Sequence, residues 1–218
     1  MAGQILPDSP FGKALIEVIK EHPHLKIFVD DGMWCGGGST KCLVEALKDV
    51  QGAKVIAIEA NAAIFKKAQE YWANKPSFLE MRWGRIGQRM MTEAEVRRHP
   101  YFQKVRQHFD LYWDQDCADF RYAPLIDLPR YVDGFVLDAG EFGGIGSLDR
   151  ALMHKPSIIA LDDINVIKHD ASFKHLVNSG EWRILKRGND RNGWAILRRE
   201  SSGTYDRYCE VGFAGVGC

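Results

Sequence analysis

The 218-residue chain has no excess of either charge: 29 basic and 29 acidic side chains cancel. Neutrality excludes a general binder of phosphate backbones, which needs a basic surplus. Long apolar runs are also missing. The longest, such as Ser157–Leu161 and Gly134–Leu137, are strand-sized and far below the roughly 20 residues of a membrane helix, so no membrane span is expected. The opening MAGQILPDSPFGK lacks a basic segment followed by an apolar one, so it does not read as a secretory leader. The five cysteines, Cys35, Cys42, Cys117, Cys209 and Cys218, are odd in number and include no C-x-x-C pair. Neither a disulfide framework nor a zinc site is indicated, and reduced thiols in a cytoplasmic protein are the expectation. There is no internal repeat and no low-complexity block.

What is present is enough apolar material, 45% of residues, to bury a core without disulfide or metal staples. The length predicts one domain over residues 1–218, with room for an insertion. The segment LKIFVDDG (Leu25–Gly32) is an apolar run ending in two acids and a glycine, as a buried parallel strand does at the ligand edge of a sheet. A glycine loop follows, then STKCLVEALKDV with Leu43, Val44 and Leu47 at helical spacing. Ser39 and Thr40 are suited to cap that helix.

A second strand over Lys54–Asn61, a helix from Ala62 closed by Pro76, and a third strand over Ser77–Trp83 continue the alternation. From Gly84 to Pro129 it is interrupted. Thr92-x-x-Glu95 is a capping-box pattern, Pro100 should end that helix, and Tyr101–Phe109 reads as another. We expect this stretch to lie over the sheet as an insertion. Strand Gly134–Asp138, helix Leu148–Met153, strand Ser157–Asp162 and helix Phe173–Asn178 then resume the pattern. Strands Trp182–Lys186 and Gly193–Arg198 are joined by a short polar loop, which implies an antiparallel pair. The expected fold is α/β, a single Rossmann-like open sheet, mostly parallel, with a terminal antiparallel pair. The glycine-rich tail Glu200–Cys218 is expected to be loosely ordered.

Open α/β sheets bind ligands at the carboxyl ends of their strands. Four ends here carry acids: Asp30/Asp31, Glu59, Asp138 and Asp162/Asp163. Each buried carboxylate needs solvent, a partner or a ligand, so a polar concave site is the natural reading. In Asp30-x-Gly32-x-x-x-Gly36-Gly37-Gly38-Ser39-Thr40, glycines allow sharp turns and close approach of a ligand to the main chain. The free N–H groups of the following helix can hold an anion. Lys41 follows Ser-Thr instead of preceding it, so this is not a Walker loop. Glu59, at the end of the second strand, suits a pair of ribose hydroxyls. Together these features point to an adenosine ligand, NAD or S-adenosylmethionine. A dehydrogenase loop requires Gly-x-Gly-x-x-Gly, whereas Gly32 and Gly36 are four apart. An NAD-dependent oxidoreductase and a non-catalytic nucleoside-binding scaffold are the alternatives.

The order of glycine loop, Glu59, Asp138, Asp162-Asp163 and terminal antiparallel pair resembles the class I S-adenosylmethionine-dependent methyltransferases. The D-x-G-x-x-x-G-G-G-S-T element, FVLDAGEF and KPSIIALDDIN are similar to the macrocin-type sugar O-methyltransferases and, more distantly, to catechol O-methyltransferase. The resemblance covers Leu25–Arg198 apart from the insertion. It implies that Asp30, Gly32 and Gly36 surround the methionine moiety, with Ser39 and Thr40 beside them. It also implies that Glu59 holds the ribose and that Arg85 and Ile86 lie near the adenine. Asp138, Asp162 and Asp163 fall where these families bind a divalent metal, and three carboxylates suit Mg²⁺. Catechol-type enzymes place a lysine base three residues after the fourth-strand Asp; Glu141 stands at that position here. Glu141 and His169 are therefore the candidate bases, and Asp138 the third candidate catalytic residue. Trp34, Trp83, Trp113, Tyr112 and Tyr122 fall in or near the loops above the site. The implied activity is O-methylation of a small-molecule or glycan acceptor, with a homo-oligomer left open.

Overall fold

The computed structural model describes residues 5–200. The tail expected to be loosely ordered lies outside them, except for Glu200, and so do Cys209 and Cys218. The element order is α1 (Pro10–Lys20), β1 (Ile27–Asp31), α2 (Ser39–Leu47), β2 (Lys54–Glu59), α3 (Ala62–Tyr71) and β3 (Leu79–Trp83). Then come α4 (Glu93–Arg98), α5 (Phe102–Val105), α6 (Phe109–Tyr122), β4 (Gly134–Leu137) and α7 (Gly144–Met153). The described chain closes with β5 (Ile158–Leu161), α8 (Asp170–Asn178), β6 (Trp182–Gly188) and β7 (Trp194–Arg199). The seven strands form one sheet in the order β3-β2-β1-β4-β5-β7-β6. All pairings are parallel except β5–β7 and β6–β7. The mostly parallel sheet with an antiparallel terminal pair is the one expected.

Parallel strands are covered on both faces, so they read as continuous apolar runs. β4 and β5 are buried at every residue. One face packs on α1 and α2, with Phe11, Leu15, Leu43 and Leu47 fully covered and the Phe11 ring stacked on Trp194 at 4.9 Å. The other packs on α7 and α8 through Phe135, Leu148 and Leu176.

Three elements depart from the sequence expectation. Helix α1 went unread. Its signals are present: Ser9 Oγ accepts from Gly12 N at 3.1 Å, Pro10 opens the first turn, and Leu15, Val18 and Ile19 share a buried face. Helix α7 begins four residues before the expected Leu148, because its glycine-rich start lets it pass close beneath neighbouring backbone. Helix α6 occupies a stretch of the insertion to which the sequence assigns no element. Its apolar residues form no clean helical stripe and only Phe109 is buried, so periodicity gave no signal. The capping box of α4 forms as expected. The second predicted helix of this stretch is only α5 plus a 3₁₀ turn at residues 106–108.

Candidate active site

The sheet order reverses between β1 and β4, the crevice position in open α/β sheets. The acids expected at the strand ends converge there. Asp30 and Asp31 are successive on β1 and so turn to opposite faces. Asp30, fully buried, accepts from Thr40 Oγ1 and is further stabilised by the Ser39 hydroxyl. Asp31 is paired to the Ser147 hydroxyl of α7. Ser39 and Thr40 are therefore not caps: Gly38 holds that position, and both side chains pin α2 to β1 instead. Each acid of the pair keeps one buried oxygen, Asp30 Oδ1 and Asp31 Oδ2, without a hydrogen-bond partner. Burial pushes Asp30 up to about 7 and Asp31 to about 6.

Gly32 takes φ +102°, and a Cβ there would meet the Asp138 and Ala139 main chain at 2.6 Å. This contact seals β1 to the β4 loop. At Gly36, implied by resemblance to lie by the methionine moiety, the structure shows an indole against the main chain. The space beside its Cα is filled by the Trp72 ring, whose Nε1 donates to the Gly36 carbonyl at 2.9 Å.

Glu59 is 8% exposed and ties two loops together. Its Oε2 accepts from Trp34 N and its Oε1 from Asn61 N, both at 2.9 Å. Burial raises it to about 7, against these two hydrogen bonds. Asn61 caps α3. Arg85 lies against α6: its guanidinium is 4.0 Å from the Phe120 ring centroid and its Nε donates to the Phe120 carbonyl at 3.1 Å. Ile86 has no exposed surface and belongs to the core, so its side chain offers nothing to an adenine.

Oxygens of Asp138, Asp162 and Asp163 come within 4.8 Å of one another, as the metal expectation requires. Two cations stand among them. Lys168 Nζ hydrogen-bonds to Asp138 and lies 3.5 Å from Asp163 Oδ2. Arg191 Nη2 lies 2.9 Å from Asp162 Oδ2. Burial raises Asp162 to about 7 and also raises Asp138. Burial acts the same way on Asp163, but Lys168, Asn192 and Arg191 outweigh it and hold that carboxyl below its usual range. Burial alone would lower Lys168; the surrounding acids, Asp138 foremost, raise it instead. The donor type suits Mg²⁺, but the place between Asp138 and Asp163 already holds an ammonium, so the arrangement does not fit the ion.

Glu141 stands beside this cluster and burial pushes it up to about 7, against the pull of Lys168. A carboxyl titrating near neutral pH is a competent base. His169 is withdrawn from that role by its position. Its ring is fully buried beside Gly144, with Nδ1 3.4 Å from Ser172 Oγ, and burial drives it down to about 3. A neutral imidazole with no exposed surface cannot meet an acceptor arriving from solvent.

Sequence reasoning missed Lys168, Arg191, Asp116 and Asp119. Asp116 and Asp119 share a face of α6 and carry it across the strand ends. Asp116 Oδ2 accepts from Phe142 N at 2.7 Å, and Asp119 Oδ1 from Asn61 Nδ2 at 3.4 Å. Trp34 and Trp83 keep partly exposed rings at the edge, and Tyr122 is exposed; Trp113 and Tyr112 of α6 pack against the cluster of Phe109 and Phe142.

The buried acids set a pH dependence. Folded Asp30 keeps its proton up to about 7, against an ordinary value of 3.8. Between these values the folded state binds more protons than the unfolded one, so stability falls as pH rises through the window. Asp30→Asn cannot ionise and still accepts from Thr40. It is expected to melt above the wild type on the alkaline side of the window and to converge with it on the acidic side, as read by thermal scans across pH.

No protein-family model matches the chain, and no curated protein matches it in sequence. Solved structures do. A methyltransferase of Geobacter sulfurreducens is 13% identical with TM-score 0.57, over 90% of this chain and 81% of that one. The O-methyltransferase of Bacillus cereus, in complex with S-adenosylhomocysteine, is 15% identical with TM-score 0.57, over 88% and 82%. A Podospora anserina methyltransferase bound to S-adenosylhomocysteine is 14% identical with TM-score 0.55, over 87% and 77%. At these identities the likeness is one of fold, and the α/β sheet described above is that of Rossmann-like methyltransferase structures.

Proposed function

We propose that the chain is an S-adenosylmethionine-dependent O-methyltransferase of a small hydroxylated or glycan acceptor. The observation that carries the reading is the convergence of Asp30, Asp31, Glu59, Asp138 and Glu141 on one edge at the β1/β4 reversal. Glu59, 8% exposed, suits ribose hydroxyls, and buried Asp30 supports the loop before it by fixing α2 to β1 through Thr40. The fold neighbours with S-adenosylhomocysteine bound support the same ligand.

In this reading the bound cofactor supplies an electrophilic methyl group on a positively charged sulfur. Glu141 would take the proton from the acceptor hydroxyl, whose oxygen would then accept the methyl group that the cofactor would supply. Glu59 would hold the cofactor's ribose, with Asp30 and Asp31 positioning the surrounding elements through Thr40 and Ser147, and orientation would contribute much of the rate. No step passes through Mg²⁺, since Lys168 already stands among the carboxylates expected to bind it. Residues 84–129, which include α6, form the acceptor side, and the chain acts as one domain.

Calorimetric titration tests the reading. S-adenosylhomocysteine is expected to bind saturably and NAD not to bind. Binding of NAD alone would favour the oxidoreductase, and binding of neither the scaffold.

A further inference from the structure

The loop from β5 to α8 is buried for most of its length. Ile164 and Ile167 are each 1% exposed and His169 not at all. The Lys168 carbonyl packs so closely on Gly144 that a Cβ there would meet it at 2.3 Å. Lys168 is thus held between two buried neighbours, and its side chain is 9% exposed. The charges that act on it most are acids: Asp138 and Asp163 in contact, Glu141 and Asp162 nearby.

A buried ammonium is costly unless carboxylates surround it. Here the three clustered carboxylates share two cations: Lys168 on Asp138 and Asp163, and Arg191 on Asp162. A divalent ion would have to share Asp138 and Asp163 with the ammonium that already contacts both. Remove Lys168 and the chemistry reverses. Three clustered carboxylates would face one arginine, with buried Asp162 Oδ1 lacking a hydrogen-bond partner.

We propose that Lys168 is the resident cation of the site: its ammonium stands where a divalent ion would bind, and its remaining N–H orients the acceptor oxygen. Asp138 and Asp163 take two of its three donors. The fixed charge then does what a metal would do for the acceptor, favouring the oxyanion that forms as the proton leaves. The role in orienting the acceptor rests on the methyltransferase reading; the exclusion of a divalent ion does not.

The test is Mn²⁺ titration of the full chain read by electron paramagnetic resonance, on the wild type, Asp162→Asn, Lys168→Ala and Lys168→Arg. The wild type is expected to show no saturable binding that Asp162→Asn removes. Folded Lys168→Ala is expected to gain saturable Mn²⁺ binding, about tenfold or more tighter than any residual wild-type uptake, since the oxygen ligands are then unshared. Lys168→Arg is expected to match the wild type. Wild-type binding lost in Asp162→Asn overturns the proposal, and so does a folded Lys168→Ala that gains nothing. If Lys168→Ala does not fold, the wild-type and Asp162→Asn arms decide. S-adenosylhomocysteine calorimetry on the same preparation reports on the methyltransferase reading separately, so the two can fail independently.

Discussion

Gly32→Ala is expected to lower the unfolding free energy by about 3 kcal/mol or more, measured by urea denaturation. Two costs combine. The residue sits at φ +102°, which an alanine adopts only with strain. Its methyl would also lie 2.6 Å from the Asp138 carbonyl carbon and the Ala139 nitrogen, backbone atoms that cannot swing aside. Gly180→Ala separates the two. It has φ +71° with nothing within 4 Å of the added carbon, so it is expected to cost about 1 kcal/mol, the dihedral contribution alone. Equal losses in the two variants would show that the contact between β1 and the β4 loop is not tight. Because that contact sets Asp30 and Asp31 beside Asp138, Gly32→Ala is also expected to lose S-adenosylhomocysteine binding while it remains folded.

Glu59→Ala is expected to weaken S-adenosylhomocysteine binding about 100-fold, or about 2.8 kcal/mol. The carboxylate would accept the ribose hydroxyls, and it also holds Trp34 N and Asn61 N in place. Losing both backbone partners is expected to cost about 2 kcal/mol of stability as well. Glu59→Gln distinguishes the roles. It keeps the size of the side chain and one of the two accepted hydrogen bonds but cannot become an anion. Wild-type affinity should rise as pH climbs through about 7, where Glu59 ionises, and the Gln variant should show no such rise. A wild-type affinity flat across that range would remove Glu59 from ligand contact and leave it the clamp between loops.

Much of the fold was legible because strands and helices announce themselves through local periods. The middles of β1 and β2 and the whole of β4 and β5 are apolar because both faces of a parallel sheet are covered. The short polar loop before Trp194 disclosed the antiparallel pair. The acids at strand ends disclosed the candidate site for the same reason: a carboxylate closing an apolar run stands out. Helix α6 was illegible because its sequence has no apolar stripe. It is placed by Asp116 and Asp119, whose partners Phe142 and Asn61 are 26 and 58 residues away.

The sequence by itself determined the sheet, the edge on which its acids gather and the residue types available there. Those follow from hydrophobic pattern and from the geometry of strands, which are local properties. Only the tertiary structure decided what each group does. It buried His169 and Ile86, turned Gly36 onto Trp72, made Glu59 a clamp, and brought Lys168 into the acid cluster. Burial and long-range charge set these outcomes, and both depend on which distant segments meet, a property that no window of the sequence contains.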